Sequence, residues 1–228
     1  MERKVIITKD GSHSISIPEM NVTYHSIHGA IQESKHVFIE AGLRYASELF
    51  NRPGPLHILE VGFGTGLNAL LTLIEADKIK MNVHYSALEL YPLTQQEYNL
   101  LNYCEALNVS SLQNVFQQLH ECDWEKEVHI LPNFSLFKTN QSLLNFTTDQ
   151  FYDLVYFDAF APSSQPELWT KQVFEKLYAM ISSNGILVTY CSKGDVRRAM
   201  QSAGFAVEKI PGPVGKREMI RCKPGLKD

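Results

Sequence analysis

The sequence predicts a doubly wound α/β protein, built on a mostly parallel sheet and closed by a C-terminal antiparallel hairpin. Short apolar runs typical of buried strands alternate with segments of helical apolar spacing. The 228 residues, 44% hydrophobic and 20% charged, are ordinary for a globular protein with a sizeable core. Because right-handed crossovers join parallel strands, this alternation favours helices on both faces of the sheet.

The N-terminal region is predicted to add a small hairpin to this core. Two strand-like segments, residues 4–8 and 13–17, flank the turn pair Asp10-Gly11. We therefore expect residues 1–50 to form an extension, in which the hairpin and a helix pack on the core, and residues 51–228 to form the main domain.

The main domain is predicted to continue the alternation. Apolar, β-branched segments predict strands at residues 56–61, 83–88, 134–137, 152–157 and 186–191. Helical spacing predicts helices at residues 67–76, 95–103, 111–119, 166–181 (opened by Pro166) and 195–202. Two further strands, at 205–210 and 218–222, lie on either side of a proline- and glycine-rich turn and predict the closing hairpin.

Composition narrows the class of protein. No apolar run reaches the roughly 18 residues of a membrane helix, and the N-terminus lacks a signal-peptide core, so we expect a cytoplasmic protein without membrane contact. The cysteines stand far apart without a C-x-x-C pair, which predicts reduced thiols and no metal site. These are Cys104, Cys122, Cys191 and Cys222.

Charge is unevenly distributed along the chain. The net charge is −4, yet the segment from Cys191 to Asp228 carries nine basic and four acidic residues. A basic end on an acidic protein suits an anionic partner such as nucleic acid. A solvated charged face is the alternative.

A glycine-rich turn follows the first strand of the main domain. Gly62, Gly64 and Gly66 form G-x-G-x-G, whereas a dinucleotide fingerprint would have its third glycine at Leu67. With Glu60 before it, the turn suits a ligand with an amino group and a ribose, such as S-adenosylmethionine, although a plain tight turn is the alternative. The predicted cofactor contacts here are Glu60, Gly62, Phe63, Gly64, Thr65, Gly66 and Asn68.

Two more carboxylates stand at predicted strand ends, where open α/β sheets bind ligands. Glu89 can accept hydrogen bonds from both hydroxyls of a ribose, or it is simply an exposed acid.

Asp158 begins an aromatic loop and is the predicted catalytic residue. A carboxylate beside the transferred group can hold an amine and stabilise the positive charge that the nitrogen gains as it attacks. Deprotonation of the amine is by solvent or through Asp158; capping of the turn is the structural alternative. Phe160 either stacks on a base or packs under the loop, and Pro162 stiffens it.

The order of these motifs resembles the methyltransferase module of the MnmC family, the bacterial tRNA enzymes that make 5-methylaminomethyl-2-thiouridine at the wobble position. The similar stretches cover most of the chain. They are GAIQESKHVFIEAGL at 29–43, EVGFGTGLN at 60–68, LEL-YPLT at 88–94, DAFAPSSQPELWT at 158–170, VRR at 196–198 with AGF at 203–205, and GKREM at 215–219.

The resemblance implies a class I methyltransferase fold with a Rossmann-like sheet, S-adenosylmethionine as donor, and methylation of an aminomethyl group on wobble uridine. It places Asp158 at the reacting amine and in contact with the cofactor. It also implies that the basic residues contact a tRNA anticodon stem-loop, with affinity that falls with salt. These are Lys193, Arg197, Arg198, Lys216 and Arg217.

The chain departs from the family pattern in two ways. Where the bifunctional enzyme has a Gly-Asp pair facing adenine, the nearest match is Thr139-Asn140, and Asn140 can accept from an adenine amino group. The chain also resembles the stand-alone form without the flavin-dependent oxidoreductase module. A separate oxidoreductase would then act on the same uridine, or its step would be bypassed.

Other residues are assigned by the same comparison or by chemistry. Glu33 and Phe38 match the family segment and are placed near the site. Trp169 is interpreted as a core residue. For each N-terminal histidine, a packing or surface role is favoured over a role as an acid/base group. These histidines are His25, His28 and His36. The rival functions are an aminopropyltransferase and a non-catalytic protein that binds the cofactor and tRNA.

Overall fold

The computed structural model describes residues 2–49 and 53–225. Its N-terminus is a three-stranded antiparallel sheet of β1 (Lys4–Ile7), β2 (His13–Ile17) and β3 (Val22–Thr23), with a 3-10 turn at Pro18–Met20. The predicted hairpin is confirmed, and the Asp10 carboxylate stabilises its turn by accepting from the Ser12 amide at 3.0 Å.

A helical run then crosses one face of the main sheet. It consists of α1 (Ala30–Ser34), a π-helix (Lys35–Arg44) and α2 (Tyr45–Leu49). Phe38 is buried in the same hydrophobic cluster as strand residues Ile58 and Tyr156. The N-terminal region therefore contributes to the main core. The predicted boundary between residues 50 and 51 lies in segment 50–52, outside the described residues.

The main sheet has eight strands with a parallel centre. They are β4 (Leu56–Val61), β5 (Val83–Leu88), β6 (Glu127–Leu131), β7 (Phe134–Thr139), β8 (Tyr152–Phe157), β9 (Ile181–Thr189), β10 (Phe205–Pro211) and β11 (Glu218–Pro224). Their order is β10-β11-β9-β8-β4-β5-β7-β6. The five strands from β9 to β7 in this order are parallel, and the outer three pair antiparallel. The predicted α/β architecture with a closing hairpin is confirmed.

Helices cover both faces of this sheet. They are α3 (Leu67–Lys78), α4 (Gln95–Tyr98), α5 (Tyr103–Ala106), α6 (Gln113–Glu121), α7 (Lys171–Met180) and α8 (Gly194–Ser202), with 3-10 turns at Ser110–Leu112 and Pro166–Trp169. One hydrophobic cluster joins the sheet to α3 and α6, and a second joins it to α7 and α8. Burial of both faces explains why the central strands read as continuous apolar runs.

The predicted helix at 95–103 is wrong, because the chain bends between α4 and α5. The Asn102 side chain accepts from the His13 amide at 2.8 Å and donates to the Gly11 carbonyl at 3.0 Å. These contacts to the N-terminal hairpin favour a turn over continued helix, as expected for an asparagine that bonds backbone groups.

The predicted helix at 166–181 is also wrong at both ends. Pro166 opens only a 3-10 turn, and Thr170 is extended, with its hydroxyl accepting from the Val173 amide to cap α7. Ile181 already belongs to β9, which begins five residues before the predicted strand at 186–191 and ends two residues sooner.

The edge strand β6 was not predicted. Its sequence, EVHIL, mixes charged and apolar residues, because an edge strand is buried on fewer sides than a central one. Within the described residues, no helix has both the length and the apolar character needed to cross a bilayer.

Candidate active site

A cavity of about 430 Å³ opens at the carboxyl ends of the parallel strands. Its walls include the glycine turn after β4, residues 88–91 after β5 and residues 158–160 after β8. Tyr24 and His25, from the segment before α1, line it as well. Because ligands in open α/β sheets bind at such strand ends, this cavity is the candidate active site.

The glycine turn lies directly against the strand end that carries Asp158. Gly62 has a φ of +92°, and a Cβ there would come within 2.9 Å of the Asp158 carbonyl oxygen. The amides of Gly62 and Phe63 both donate to the Leu88 carbonyl, at 3.0 and 3.2 Å. Glycine at this position is therefore required by both the backbone angle and the close approach of β8.

Glu89 is held at the cavity wall by two backbone amides. Its carboxylate accepts from the amide of Gly64 at 2.8 Å and from that of Tyr91 at 2.8 Å. A carboxylate has about four acceptor sites, so Glu89 retains capacity for ligand hydroxyls. Its position at the end of β5 is the one that the sequence predicted for a ribose contact.

Asn68 links two carboxyl groups behind the turn. Its amide nitrogen donates to Glu60 at 2.9 Å and to Asp158 at 2.8 Å. Burial raises the pKa of Glu60 well above its usual value; the Asn68 hydrogen bond opposes this rise, and the charge of Asp158 adds to it. Glu60 is thus favoured in its neutral form, and Asp158 is the member of the pair that faces the cavity.

Asp158 has a carboxyl group poised near neutrality. Burial raises its pKa to about 7, with the negative charge of Glu33 adding to the rise. The hydrogen bond from Asn68 and the positive charge of Lys216 act in the opposite direction. The residue retains partial exposure through the cavity. It can therefore change protonation state in the range where a base or an anionic anchor would operate.

Glu33 and Lys216 meet beside Asp158 from opposite ends of the chain. Lys216 donates to the Glu33 carboxylate at 2.6 Å, and its ammonium lies 4.0 Å from the centre of the Tyr190 ring. The structure thus brings Glu33 to the site through a contact that chain position alone did not indicate. It also half-buries the Lys216 side chain against Glu33 and Tyr190, so its ammonium is not free on an open basic face.

The N-terminal histidines occupy three different settings. His25 Nε2 lies 2.6 Å from Thr65 Oγ1, and burial lowers the pKa of His25 to about 4, so it is neutral at pH 7. His28 packs beside Gly215, and His36 Nε2 lies 2.8 Å from the Pro211 carbonyl. His25 thus fixes the glycine turn through Thr65.

The loop after Asp158 is held by several contacts. Phe160 lines the cavity and packs edge-on against Tyr24, with ring centroids 5.1 Å apart. Trp169 is buried and donates from Nε1 to the Phe160 carbonyl at 2.8 Å. Pro162 is half-buried and lies outside the cavity lining.

The structure places only some of the remaining predicted cofactor contacts at the cavity. Thr65 lines the cavity, whereas Gly66 and Asn68 lie behind it, and Asn140 is exposed outside its lining. The neighbouring residues 141–143 line the cavity in place of Asn140, which was predicted to face adenine.

Several C-terminal basic residues pair within the protein. The ion pairs are Lys209 with Glu218 at 2.6 Å, Arg221 with Glu208 at 3.0 Å, and Arg198 with Asp195. Lys193 and Arg217 are exposed, and Arg197 is half-buried. Lys227 and Asp228, which contribute to the predicted basic end, lie outside the described residues.

Sequence reasoning missed Tyr24 and Tyr190 as site residues. Tyr190 directly follows β9, so the rule that ligands bind at strand ends was a usable signal. Tyr24 comes from a loop, and no local pattern marks it. No group of three or more potential metal ligands occurs in residues 2–49 and 53–225.

The chain is similar to known methyltransferases. A family model described as S-adenosyl-L-methionine-dependent methyltransferase matches residues 110–224. The tRNA 5-methylaminomethyl-2-thiouridine biosynthesis bifunctional protein MnmC of Leptospira interrogans is 32% identical over 213 residues, 86% of this chain and 32% of that protein. Its namesake in Burkholderia thailandensis is 28% identical, over 95% of this chain and 34% of that protein. The chain thus spans about a third of the length of these curated relatives.

Solved structures agree on the fold. The structure of MNMC2 from Aquifex aeolicus superposes with a TM-score of 0.78 at 24% identity, covering 99% of this chain and 73% of that one. Spermidine synthase from Thermotoga maritima superposes with a TM-score of 0.52 at 11% identity, covering 99% and 70%. The predicted resemblance to the MnmC methyltransferase module is confirmed. The chain belongs to the family of S-adenosyl-L-methionine-dependent methyltransferases, and S-adenosylmethionine is its cofactor.

Proposed function

We propose that this protein methylates the 5-aminomethyl group of wobble uridine or 2-thiouridine in tRNA. The observation that carries the proposal is Asp158. It lines the cavity at the end of β8, its carboxyl is fixed by Asn68 at 2.8 Å, and its pKa is about 7. Such a group suits an amine acceptor, and the tRNA assignment follows the MnmC relatives, whose name includes 5-methylaminomethyl-2-thiouridine biosynthesis.

The residues of the cavity fit S-adenosylmethionine. Glu89 has free acceptor capacity for the ribose hydroxyls. Gly62 and Gly64 line the cavity without a Cβ, so a ligand can approach the backbone of the turn there. Gly62, Gly64 and Thr65 would hold the same ligand from the turn, whereas Glu60 is buried behind it. When bound, this cofactor supplies an electrophilic methyl group on a sulfonium.

Asp158 would act on the acceptor amine. A primary alkylamine has a pKa near ~10.4 by analogy with lysine, so it arrives protonated. A carboxyl with a pKa of about 7 can take up that proton only transiently, so solvent is its final acceptor. The lasting contribution of the carboxylate is to orient the nitrogen and to stabilise the positive charge that develops on it.

Basic residues on the surface would position the RNA. Lys193, Arg197 and Arg217 lie in or next to α8 and the β10–β11 loop. Contacts from such residues to phosphates of an anticodon stem-loop give binding that weakens steeply with salt. The proposal assigns methyl transfer to this chain.

The test is a product analysis of modified tRNA. The protein is incubated with isotopically labelled S-adenosylmethionine and tRNA bearing 5-aminomethyl-2-thiouridine, and the digested nucleosides are identified by mass spectrometry. We expect label in 5-methylaminomethyl-2-thiouridine, and none with tRNA that carries unmodified uridine at that position.

Controls separate the rival functions. Cofactor binding is measured independently by calorimetry, and putrescine is offered with decarboxylated S-adenosylmethionine in a parallel reaction. Unlabelled tRNA together with tight cofactor binding would refute the proposal. Transfer to putrescine would then indicate an aminopropyltransferase, and no transfer at all a non-catalytic binding protein.

A further inference from the structure

The ammonium group of Lys216 is held in a small site next to Asp158. It donates to Glu33 at 2.6 Å and lies 4.0 Å from the centre of the Tyr190 ring. The side chain of Glu33 is 9% exposed and that of Lys216 is 32% exposed. A carboxylate and an aromatic face are the two groups that proteins use most to bind an ammonium ion.

The receiving groups are fixed independently of the lysine. Glu33 also accepts from the Ser26 amide at 2.9 Å. The hydroxyl of Tyr190 donates to the Ala159 carbonyl at 2.9 Å, which anchors its ring beside the Asp158 backbone. Glu33 and Tyr190 are therefore each held by a contact that does not involve Lys216.

The lysine itself arrives on a loop. Lys216 lies between β10 and β11. Gly215 before it has a φ of +87°, and a Cβ there would overlap the His28 ring. Arg217 after it is exposed. The lysine is thus the one member of the site whose position depends on a surface loop.

Asp158 completes the charge balance. The Glu33 charge raises the pKa of Asp158 and the Lys216 charge lowers it, so all three groups interact electrostatically. One ammonium therefore acts on two carboxyl groups, on Glu33 by direct contact and on Asp158 through its charge. Removal of that ammonium without replacement would leave buried negative charge uncompensated, which is costly.

We propose that Glu33 and Tyr190, with the charge of Asp158 close by, form a binding site for a primary alkylammonium group, and that Lys216 fills it until the ammonium of the acceptor displaces it. This inference rests on the proposed function only in naming the acceptor as an aminomethyl group. The ammonium of Lys216 and that of an aminomethyl group have the same binding chemistry, because each is a primary ammonium on a carbon stem with three N–H donors.

Exchange of one ammonium for another keeps the site neutralised. The released Lys216 would then stand on the exposed loop beside Arg217, where a phosphate can pair with it. Binding of the RNA backbone and entry of its amine would thus favour each other. An acceptor without an amine would leave Lys216 in place.

The first experiment tests the site without RNA. In Lys216→Ala, n-butylammonium replaces the deleted side chain, and thermal unfolding is followed with and without it. A ligand that binds only the folded state stabilises it, so we expect an increase of about 2–4 °C in the melting temperature at saturating concentrations. Neither the unsubstituted protein, whose site is filled, nor Lys216→Ala/Glu33→Gln should show this increase.

Matched controls test whether the ammonium charge of the ligand causes the increase in melting temperature. The neutral analogue n-butanol should not raise the melting temperature of Lys216→Ala. If that variant does not fold, Lys216→Met keeps the volume of the stem, and methylammonium is then the probe. Tyr190→Phe should retain the response and Tyr190→Leu should weaken it. Equal shifts in all variants, or no shift in any, would overturn the inference.

The second experiment identifies the acceptor. Two anticodon stem-loop RNAs, with 5-aminomethyluridine or 5-methyluridine at the wobble position, are titrated against the protein. We expect about tenfold tighter binding of the amine-bearing RNA, as for a hydrogen bond between charged groups. Glu33→Gln should abolish most of this preference, whereas Arg217→Ala should weaken the binding of both RNAs to the same extent.

The two experiments fail separately. If n-butylammonium stabilises Lys216→Ala but the RNAs bind equally, the ammonium site stands and the tRNA substrate is wrong. If the amine-bearing RNA binds more tightly and Glu33→Gln leaves that preference intact, the tRNA substrate stands and the ammonium site is wrong.

Discussion

Asp158 is surrounded by groups that push its pKa in opposite directions. Burial and Glu33 raise the pKa, whereas Asn68 and Lys216 lower it, and the result is about 7. In the proposed mechanism the carboxylate is the active form. The rate of methyl transfer should therefore rise as the pH increases through this value, because Asp158 loses its proton there.

The neighbours of Asp158 should move this pH dependence in opposite directions. Lys216→Met removes a positive charge, so the rising limb of kcat/KM should move to higher pH. Glu33→Gln removes a negative charge and should move it to lower pH. The measurement is kcat/KM from pH 5.5 to 9, with the exposed Lys193→Met as control. Movement in the same direction for both variants would contradict the electrostatic account.

Asp158→Asn tests the charge with little change of shape. The amide can still accept a hydrogen bond from Asn68, so the local structure should persist. We expect a loss of roughly 10²–10³ in kcat, the size seen when one electrostatic contact to a transition state is removed. Cofactor affinity, followed by calorimetry, should change only a few-fold. Turnover close to that of the unsubstituted protein would refute the catalytic role.

The turn after β4 is the element that connects the ends of two other strands at the cavity. It contacts the end of β5 through the Leu88 carbonyl and the end of β8 through the Asp158 backbone. A change in its geometry should therefore affect both cofactor binding and the position of Asp158.

Gly62→Ala should disturb this turn through a clash as well as through strain. Its Cβ would lie 2.9 Å from the Asp158 carbonyl oxygen, and its φ of +92° is unfavourable for alanine. We expect cofactor affinity to fall at least about tenfold and the free energy of unfolding to fall by roughly 1–3 kcal/mol.

The matched control is Gly54→Ala. Gly54 also has a positive φ, +113°, but a Cβ there meets nothing within 4 Å. This variant should carry the backbone strain alone and bind the cofactor normally. Equal losses of cofactor affinity in the two variants would show that the close approach to the Asp158 carbonyl is not the reason why position 62 is a glycine.

Across the whole molecule, the N-terminal region and the main sheet share one core. The π-helix lays Phe38 against Tyr156 of β8, with ring centroids 5.1 Å apart, and both side chains are buried. We therefore propose that residues 2–49 do not fold as a separate unit. The adjoining α1 carries Glu33 to the candidate active site, so fold and function depend on the same packing.

Phe38→Ala should destabilise the entire protein. Deletion of a buried phenylalanine typically costs about 3–5 kcal/mol, through lost burial and the cavity that remains. Urea unfolding followed by fluorescence should show one shifted transition. Ile7→Ala, at a side chain that is 74% exposed, should change stability by less than about 0.5 kcal/mol. Early unfolding of the N-terminal region alone would contradict a shared core.

The alternation of strands and helices, apart from the edge strand β6, and the three acidic strand ends follow from the sequence. Strands β4, β5 and β8 are short apolar runs bounded by turn residues, so local pattern was sufficient to place Glu60, Glu89 and Asp158. Where local pattern competes with distant contacts, prediction was weaker. The helix predicted at 95–103 is broken because Asn102 bonds the N-terminal hairpin, some ninety residues away.

Tertiary structure alone decides which of these residues act together. Glu33 and Lys216 are 183 positions apart, yet they form one ion pair beside Tyr190. Apolar periodicity records which face of an element is buried, but it does not record which distant element covers that face. The sequence therefore determines the central strands of the sheet, the glycine turn after β4 and the acidic strand ends. The burial of Asp158 that raises its pKa, and the charges of Glu33 and Lys216 that adjust it, arise only when distant parts of the chain fold together.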